Sequence, residues 1–126
     1  MTTKQRILII DQDGMAAKLA TQMFEEAGYE VFVAGNGVDG LSQAKSIRPD
    51  LIILEVTVPG LSGVEVCRRL RSDPVTAPIP IMLRGTKDSL EGKLEASEVE
   101  VDDYLQSPVA PDELLERAGV FLWQAH

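Results

Sequence analysis

The sequence predicts an α/β sandwich in which a parallel, doubly wound sheet of five strands is covered by helices on both faces. Three observations carry this expectation. Unbroken apolar runs at 7–10 and 51–54 read as strands buried on both faces. Apolar residues at helical spacing follow the strands, and the two patterns alternate five times along 126 residues. No repeat, linker or low-complexity segment interrupts them, so residues 1–126 read as one domain with right-handed crossovers.

The first strand lies in 6–11 and leads to a helix marked by Met15, Leu19, Met23 and Ala27, with Ala16, Ala20 and Phe24 beside them, which stops at Gly28. A short strand at 31–34 precedes a helix marked by Val38, Leu41 and Ala44, and Pro49 ends that helix before the strand at 51–54. Ser62 and Glu65 stand in capping-box spacing at the start of a third helix, with Val64, Cys67 and Leu70 on its apolar side. The fourth strand is expected at 79–83, with Pro80 near its start. The next helix is weakly specified: Asp88 and Glu91 suit a cap, but only Leu90 and Leu94 form a stripe, so it should be short or displaced. The fifth strand ends at Tyr104 and Leu105. The last helix begins near Pro111 and turns Leu114, Leu115, Ala118, Phe121 and Leu122 to the core.

Composition removes several functions. A net charge of −8 and a pI near 4.6 argue against nucleic acid as a partner of this domain, because phosphate-backbone binders cluster Lys and Arg. No apolar run approaches the roughly 20 residues that cross a bilayer, and the polar start does not resemble a signal peptide, so the expected location is cytoplasmic without membrane insertion. Cys67 is the only cysteine and reads as a buried, inert thiol; no disulfide or Cys-based zinc cage can form within the chain. His126, the only histidine, is the last residue and carries no assigned role. The stretch DQDGM after the first strand is not a Gly-rich phosphate loop, and no cofactor is expected.

In open α/β sheets the working crevice lies at the carboxyl ends of the strands. That rule selects Asp11 and Gln12 after the first strand, Glu55 after the third, Arg84 after the fourth and Ser107 after the fifth.

The stretches ILIIDQD, AGYEVFVAGNGVDGL, PDLIILEVTVPGLSGVEVCRRLR, IPIML, DDYLQSP and PDELLERAGVFL occur in that order along nearly the whole chain. Together they resemble the CheY-like receiver domains of two-component response regulators. The resemblance implies a (βα)5 three-layer sandwich with strand order 2-1-3-4-5 and a cis Ser107–Pro108 peptide bond. It also implies a phosphoacceptor pocket, and there the sequence departs from the family. Glu55 stands where the family has its Asp nucleophile, and the extra methylene displaces the carboxylate; a misplacement of ~1 Å can cost about 10²-fold. Gln12 replaces the acid that binds Mg²⁺, an ion that prefers carboxylates in octahedral geometry. Asp13 sits where the first helix needs a cap and should not substitute for it. Arg84 replaces the small hydroxyl residue and Ser107 the lysine, which leaves Asp11 alone of the five positions. No metal is expected, although a residual weak Mg²⁺ site at Asp11 and Glu55 stays open.

Arg84 is expected to enter the crevice of Asp11 and Glu55, because guanidinium pairs well with carboxylates, and so to fill space the family uses for metal, lysine and phosphate. Glu55 reads first as a relic of lost chemistry and second as a standing mimic of phosphorylation, though one carboxylate carries less charge than a phosphate. Tyr104 stands where receivers place an aromatic switch, here without a hydroxyl trigger, so its orientation should be fixed. Glu91, Glu95, Glu98, Glu100, Asp102 and Asp103 read as a solvated face or as a docking face for a basic partner.

The resulting expectation is a degenerate pseudo-receiver that lacks the phosphoacceptor Asp. It would be no enzyme but a phosphorylation-independent interaction and signalling module. Its partner would be another signalling protein bound at the face of the fourth helix, fifth strand and last helix, with Tyr104, Leu90, Leu94, Glu91 and Glu95; a homodimer is left open. Two alternatives remain at this stage: a receiver still phosphorylated by a histidine kinase at a non-standard residue such as Asp11 or Glu55, and a flavodoxin-like sensor of a small ligand.

Overall fold

A computed structural model of the chain describes residues 4–86 and 100–122. Its five strands are β1 (Arg6–Ile10), β2 (Glu30–Ala34), β3 (Leu51–Glu55), β4 (Ile81–Gly85) and β5 (Asp103–Gln106). They form one sheet in the order β2-β1-β3-β4-β5, and every neighbouring pair is parallel. The described helices are α1 (Gly14–Glu26), α2 (Gly37–Ile47), α3 (Gly63–Ser72) and α4 (Pro111–Gly119). The helix expected around Leu90, Glu91, Leu94 and Glu95 falls outside the described residues.

The apolar strands divide their side chains between two cores, as period-2 alternation requires. Ile7, Ile9, Leu51, Ile53, Met82 and Leu105 face α1 and α4, where Ala17, Ala20, Phe24, Leu114 and Ala118 meet them. Leu8, Ile10, Ile52, Leu54, Ile81 and Leu83 face α2 and α3, against Ala44, Val66, Cys67 and Leu70.

Two expectations about helix faces are corrected. In α1 the buried residues are Ala17, Ala20 and Phe24, whereas Met15 is 67% and Leu19 57% exposed. The small alanines let the helix lie close to the sheet, and the longer side chains are rotated to its flank. In α2 the buried residues are Gly37, Gly40 and Ala44, while Val38 is exposed. α1 ends as expected, with Gly28 at φ +100°, a conformation L side chains rarely adopt. Ser62 caps α3 by accepting from the Glu65 N–H at 3.2 Å, but the Glu65 carboxylate turns to Arg68 and Arg69 instead of completing the box.

The fourth strand begins two residues later than expected. Pro80 has no N–H to give a ladder, and its carbonyl serves only as an acceptor for Ile52 N at 3.0 Å before pairing continues through Arg84 and Gly85. Arg84 therefore sits inside the sheet, directly opposite Glu55 in register.

Beneath the amino ends of β4 and β5, Arg71 gathers loops distant in sequence. Its guanidinium donates to the carbonyls of Ala77 (2.8 Å), Ile79 (2.6 Å) and Glu100 (3.0 Å) and to Asp102 Oδ2 (2.9 Å). The same carboxylate oxygen accepts the Ile81 N–H at 2.7 Å. Arg71→Ala strips several acceptors of their donor at once and should destabilise the domain by ~2–3 kcal/mol in a urea unfolding experiment; a loss under about 0.5 kcal/mol would mean that water replaces the guanidinium without cost.

Candidate functional site

Alternation along the strands aims four of the five residues chosen from the sequence at one place. Ile9, Ile53, Met82 and Leu105 point toward α1 and α4. The residues two further along, Asp11, Glu55, Arg84 and Ser107, therefore emerge on that same side at the carboxyl rim. Gln12, one residue past Asp11, is exposed. Asp13 caps α1, its Oδ1 accepting from Met15 N (3.0 Å) and Ala16 N (3.2 Å).

Asp11 is the most buried acid of the rim, at 5% exposure. Its backbone N–H donates to the Ala34 carbonyl at 3.0 Å, and its Oδ1 accepts the Asp13 N–H at 2.9 Å. Its Oδ2 lies 3.5 Å from Arg84 Nη1, and the Arg84 side chain is only 16% exposed. Arg84 Nε donates to Ser107 Oγ at 3.3 Å. One guanidinium thus connects the ends of β1, β4 and β5. Arg84 also lines an apolar cleft of about 130 Å³ between α1 and α4, with Leu19, Met23, Val109 and Leu114. The Ser107–Pro108 bond is cis.

Glu55 is half-buried and held differently. Thr57 Oγ1 donates to its Oε1 at 3.2 Å, and the ion pair of Arg84 is with Asp11. Burial is the largest influence on the Glu55 carboxyl and raises its proton affinity above the ordinary value. The Thr57 hydrogen bond opposes this, the Asp11 carboxylate adds to it and the Arg84 cation lowers it. The loop after Glu55 is tied down by Val56 N donating to Arg84 O at 2.8 Å and Gly63 N donating to Val56 O at 3.0 Å. A Cβ on Gly63 would come within 2.7 Å of Val56 Cα, so this close approach needs glycine.

This donor set does not fit Mg²⁺. Of its two carboxylates, Asp11 already faces a guanidinium, and the third position is the neutral, exposed Gln12. Among the described residues no group of three or more potential ligands comes together.

Tyr104 is partly buried against the core cluster that contains Cys67. Burial pushes the Cys67 thiol up to about 12, as expected of an inert buried cysteine. The acidic stretch is used in ways its sequence did not signal. Asp102 pairs with Arg71, and Asp103 pairs with Arg117, whose Nε donates to Asp103 Oδ2 at 2.9 Å and whose Nη2 donates to the Tyr104 carbonyl at 3.1 Å. Glu91, Leu90, Leu94, Glu95 and Glu98 lie outside the described residues. Thr57 was also missed: it lies in the turn that follows β3, where strand alternation gives no signal.

A parallel 2-1-3-4-5 sheet with polar residues gathered at the carboxyl rim defines a receiver-type α/β domain. Residues 7–119 match the response regulator receiver domain family, and the chain belongs to that family. It is 34% identical over 116 residues to the DNA-binding response regulator MtrA of Mycobacterium tuberculosis, which covers 92% of this chain and 50% of that protein. It is 38% identical over 117 residues to the DNA-binding dual master transcriptional regulator RpaA of Synechocystis, covering 93% and 48%. The chain thus spans about half the length of these curated relatives. The chemotaxis response regulator CheY4 of Vibrio cholerae superposes with a TM-score of 0.87 at 29% identity, covering 95% of this chain and all of that one.

A carboxyl whose proton affinity is raised by folding destabilises the native state wherever it is ionised, and that cost disappears as pH falls below its ordinary value. Glu55→Gln should therefore raise the melting temperature at pH 7, with the gain fading below about pH 4. A lower melting temperature for the variant at pH 7 would show that ionised Glu55 stabilises the rim.

Proposed function

We propose that this domain is a phosphorylation-independent receiver, a pseudo-receiver that works as a protein-interaction and signalling module in a two-component-type pathway and binds without catalysing. One observation carries the reading: the Arg84 guanidinium, 3.5 Å from Asp11 and hydrogen-bonded to Ser107, lies in the rim where a phosphoryl group would have to be accommodated. Glu55 at the end of β3 and Gln12 after β1 support it, since neither supplies what acyl-phosphate formation needs: a short carboxylate in line with the donor and an acid for the metal.

The partner in this reading is another signalling protein in the cytoplasm. Its docking face would include Tyr104 and the flank of α4, together with the 87–99 segment that holds Leu90, Glu91, Leu94 and Glu95. Arg117, paired with Asp103 and Glu113 and donating to the Tyr104 carbonyl, ties α4 to β5 in the described part of that face. Among the described residues no helix is long and apolar enough to cross a membrane. The net charge of −8 fits a protein partner better than nucleic acid.

The test is exposure to Mg²⁺ with acetyl phosphate or beryllofluoride, followed by amide chemical shifts. The reading expects no saturable response at Asp11, Glu55 or Tyr104 at millimolar concentrations. Saturable shifts there, or a hydroxylamine-labile phosphoryl adduct on the intact protein, would establish instead a receiver modified at a non-standard residue.

A further inference from the structure

The rim holds two carboxylates, Asp11 and Glu55, on one side of the sheet, and the charge that answers them is covalently attached. Arg84 stands opposite Glu55 in the β3–β4 register and reaches past it to Asp11. Three features suggest that this cation is a fixed part of the crevice. Its side chain is 16% exposed, so little water shares the work of screening. Its Nε is oriented by Ser107 on β5. It also lines the apolar cleft between α1 and α4, which restricts where the side chain can swing. Both carboxylates respond to it: Asp11 by direct pairing, and Glu55 by a proton affinity lower than burial alone would set.

We infer that Arg84 is a tethered counterion that closes the Asp11–Glu55 crevice to divalent cations, and that removing its charge alone opens a divalent-cation site on these two carboxylates. The inference rests on the reading of the pocket as inactive and deepens it. A divalent ion on Asp11 would sit about 2 Å from a carboxylate oxygen, while the Arg84 guanidinium lies 3.5 Å from Asp11 Oδ2, and two cations so close around one buried carboxylate repel strongly. With an uncharged side chain at position 84 the balance reverses. Asp11, 5% exposed, then lacks a counter-charge, and a divalent ion bridging it to Glu55 supplies one. The changed residue at position 12 weakens that site but does not prevent it, because Asp11 and Glu55 alone supply two anionic oxygen donors.

The experiment compares the 126-residue chain with three variants. Arg84→Met keeps an unbranched side chain beside Leu19 and Met23 while removing the charge; Arg84→Gln removes it with a polar group; Arg84→Lys retains it. Mn²⁺ is titrated and paramagnetic broadening is followed at the amides of Asp11, Glu55, Val56 and Thr57, with Mg²⁺-dependent melting temperature as a second readout. Arg84→Met and Arg84→Gln should bind Mn²⁺ at least about tenfold more tightly than the parent and gain thermal stability with Mg²⁺, whereas Arg84→Lys should behave like the parent. If Arg84→Met unfolds without metal and refolds with Mg²⁺, the expected site has formed. Folded Met and Gln variants that ignore both ions would overturn the inference while leaving the phosphorylation-independent reading intact. A parent chain that binds Mn²⁺ as tightly as its variants would overturn it too, and a parent that also responds to phosphoryl donors would remove the reading beneath it.

Discussion

A parallel sheet covered on both faces leaves charged side chains almost nowhere to go except the two rims, and the arrangement of this domain follows from that constraint. Along β1 and β3 every residue up to the carboxyl end is apolar and buried, apart from Arg6 at the entrance. The first places where a carboxylate can stand are Asp11 and Glu55, and both are still partly desolvated there. A buried carboxylate without a partner is costly, about 3–5 kcal/mol when its counter-charge is removed. Arg84 supplies the counter-charge from within the sheet. Its last strand residue before Gly85 reaches Asp11 across β3, and Ser107 orients the guanidinium from the far side.

The opposite rim solves the same problem with the same residue type. Arg71, at the end of α3, neutralises Asp102 and satisfies three carbonyls of the loops that lead into β4 and β5. At the open edge of the sheet Arg117 pairs with Asp103 and covers the carbonyl of Tyr104. Three arginines, each with planar geometry suited to several acceptors, thus fix the ends and the edge of β5. What distinguishes Arg84 is its place. Arg71 and Arg117 support the scaffold, whereas Arg84 stands at the carboxyl rim between Asp11 and Ser107, the place on which the proposed reading turns.

Much of this was legible in the sequence because it depends on short periods. The rule that the crevice lies at the carboxyl ends of the strands selected Asp11, Gln12, Glu55, Arg84 and Ser107, of which Gln12 turns away to solvent, and the β-then-α repeat gave the sheet. Two-residue details were less secure. Pro80 moved the start of β4 to Ile81, and the strand runs on to Gly85, so Arg84 lies within it rather than after it. Helix faces were harder where both sides are apolar: α1 offers Met15 and Leu19 as readily as Ala17 and Ala20, and only close packing against the sheet selects the smaller pair. The roles of Asp102 and Asp103 were not legible. Their partners are 31 and 14 residues away in sequence, and nothing in an acidic run tells an internally paired carboxylate from a solvated one.

The central claim is that Arg84 and Asp11 act as one charge-neutralising unit. A double-mutant cycle with Asp11→Asn and Arg84→Met, read as unfolding free energy in urea at pH 7, measures that unit directly. The account predicts that each single change destabilises more than the pair of changes implies, with a coupling of about 1 kcal/mol or more. Additive effects, with no coupling beyond experimental error, would contradict it and return Arg84 to the status of an ordinary surface charge.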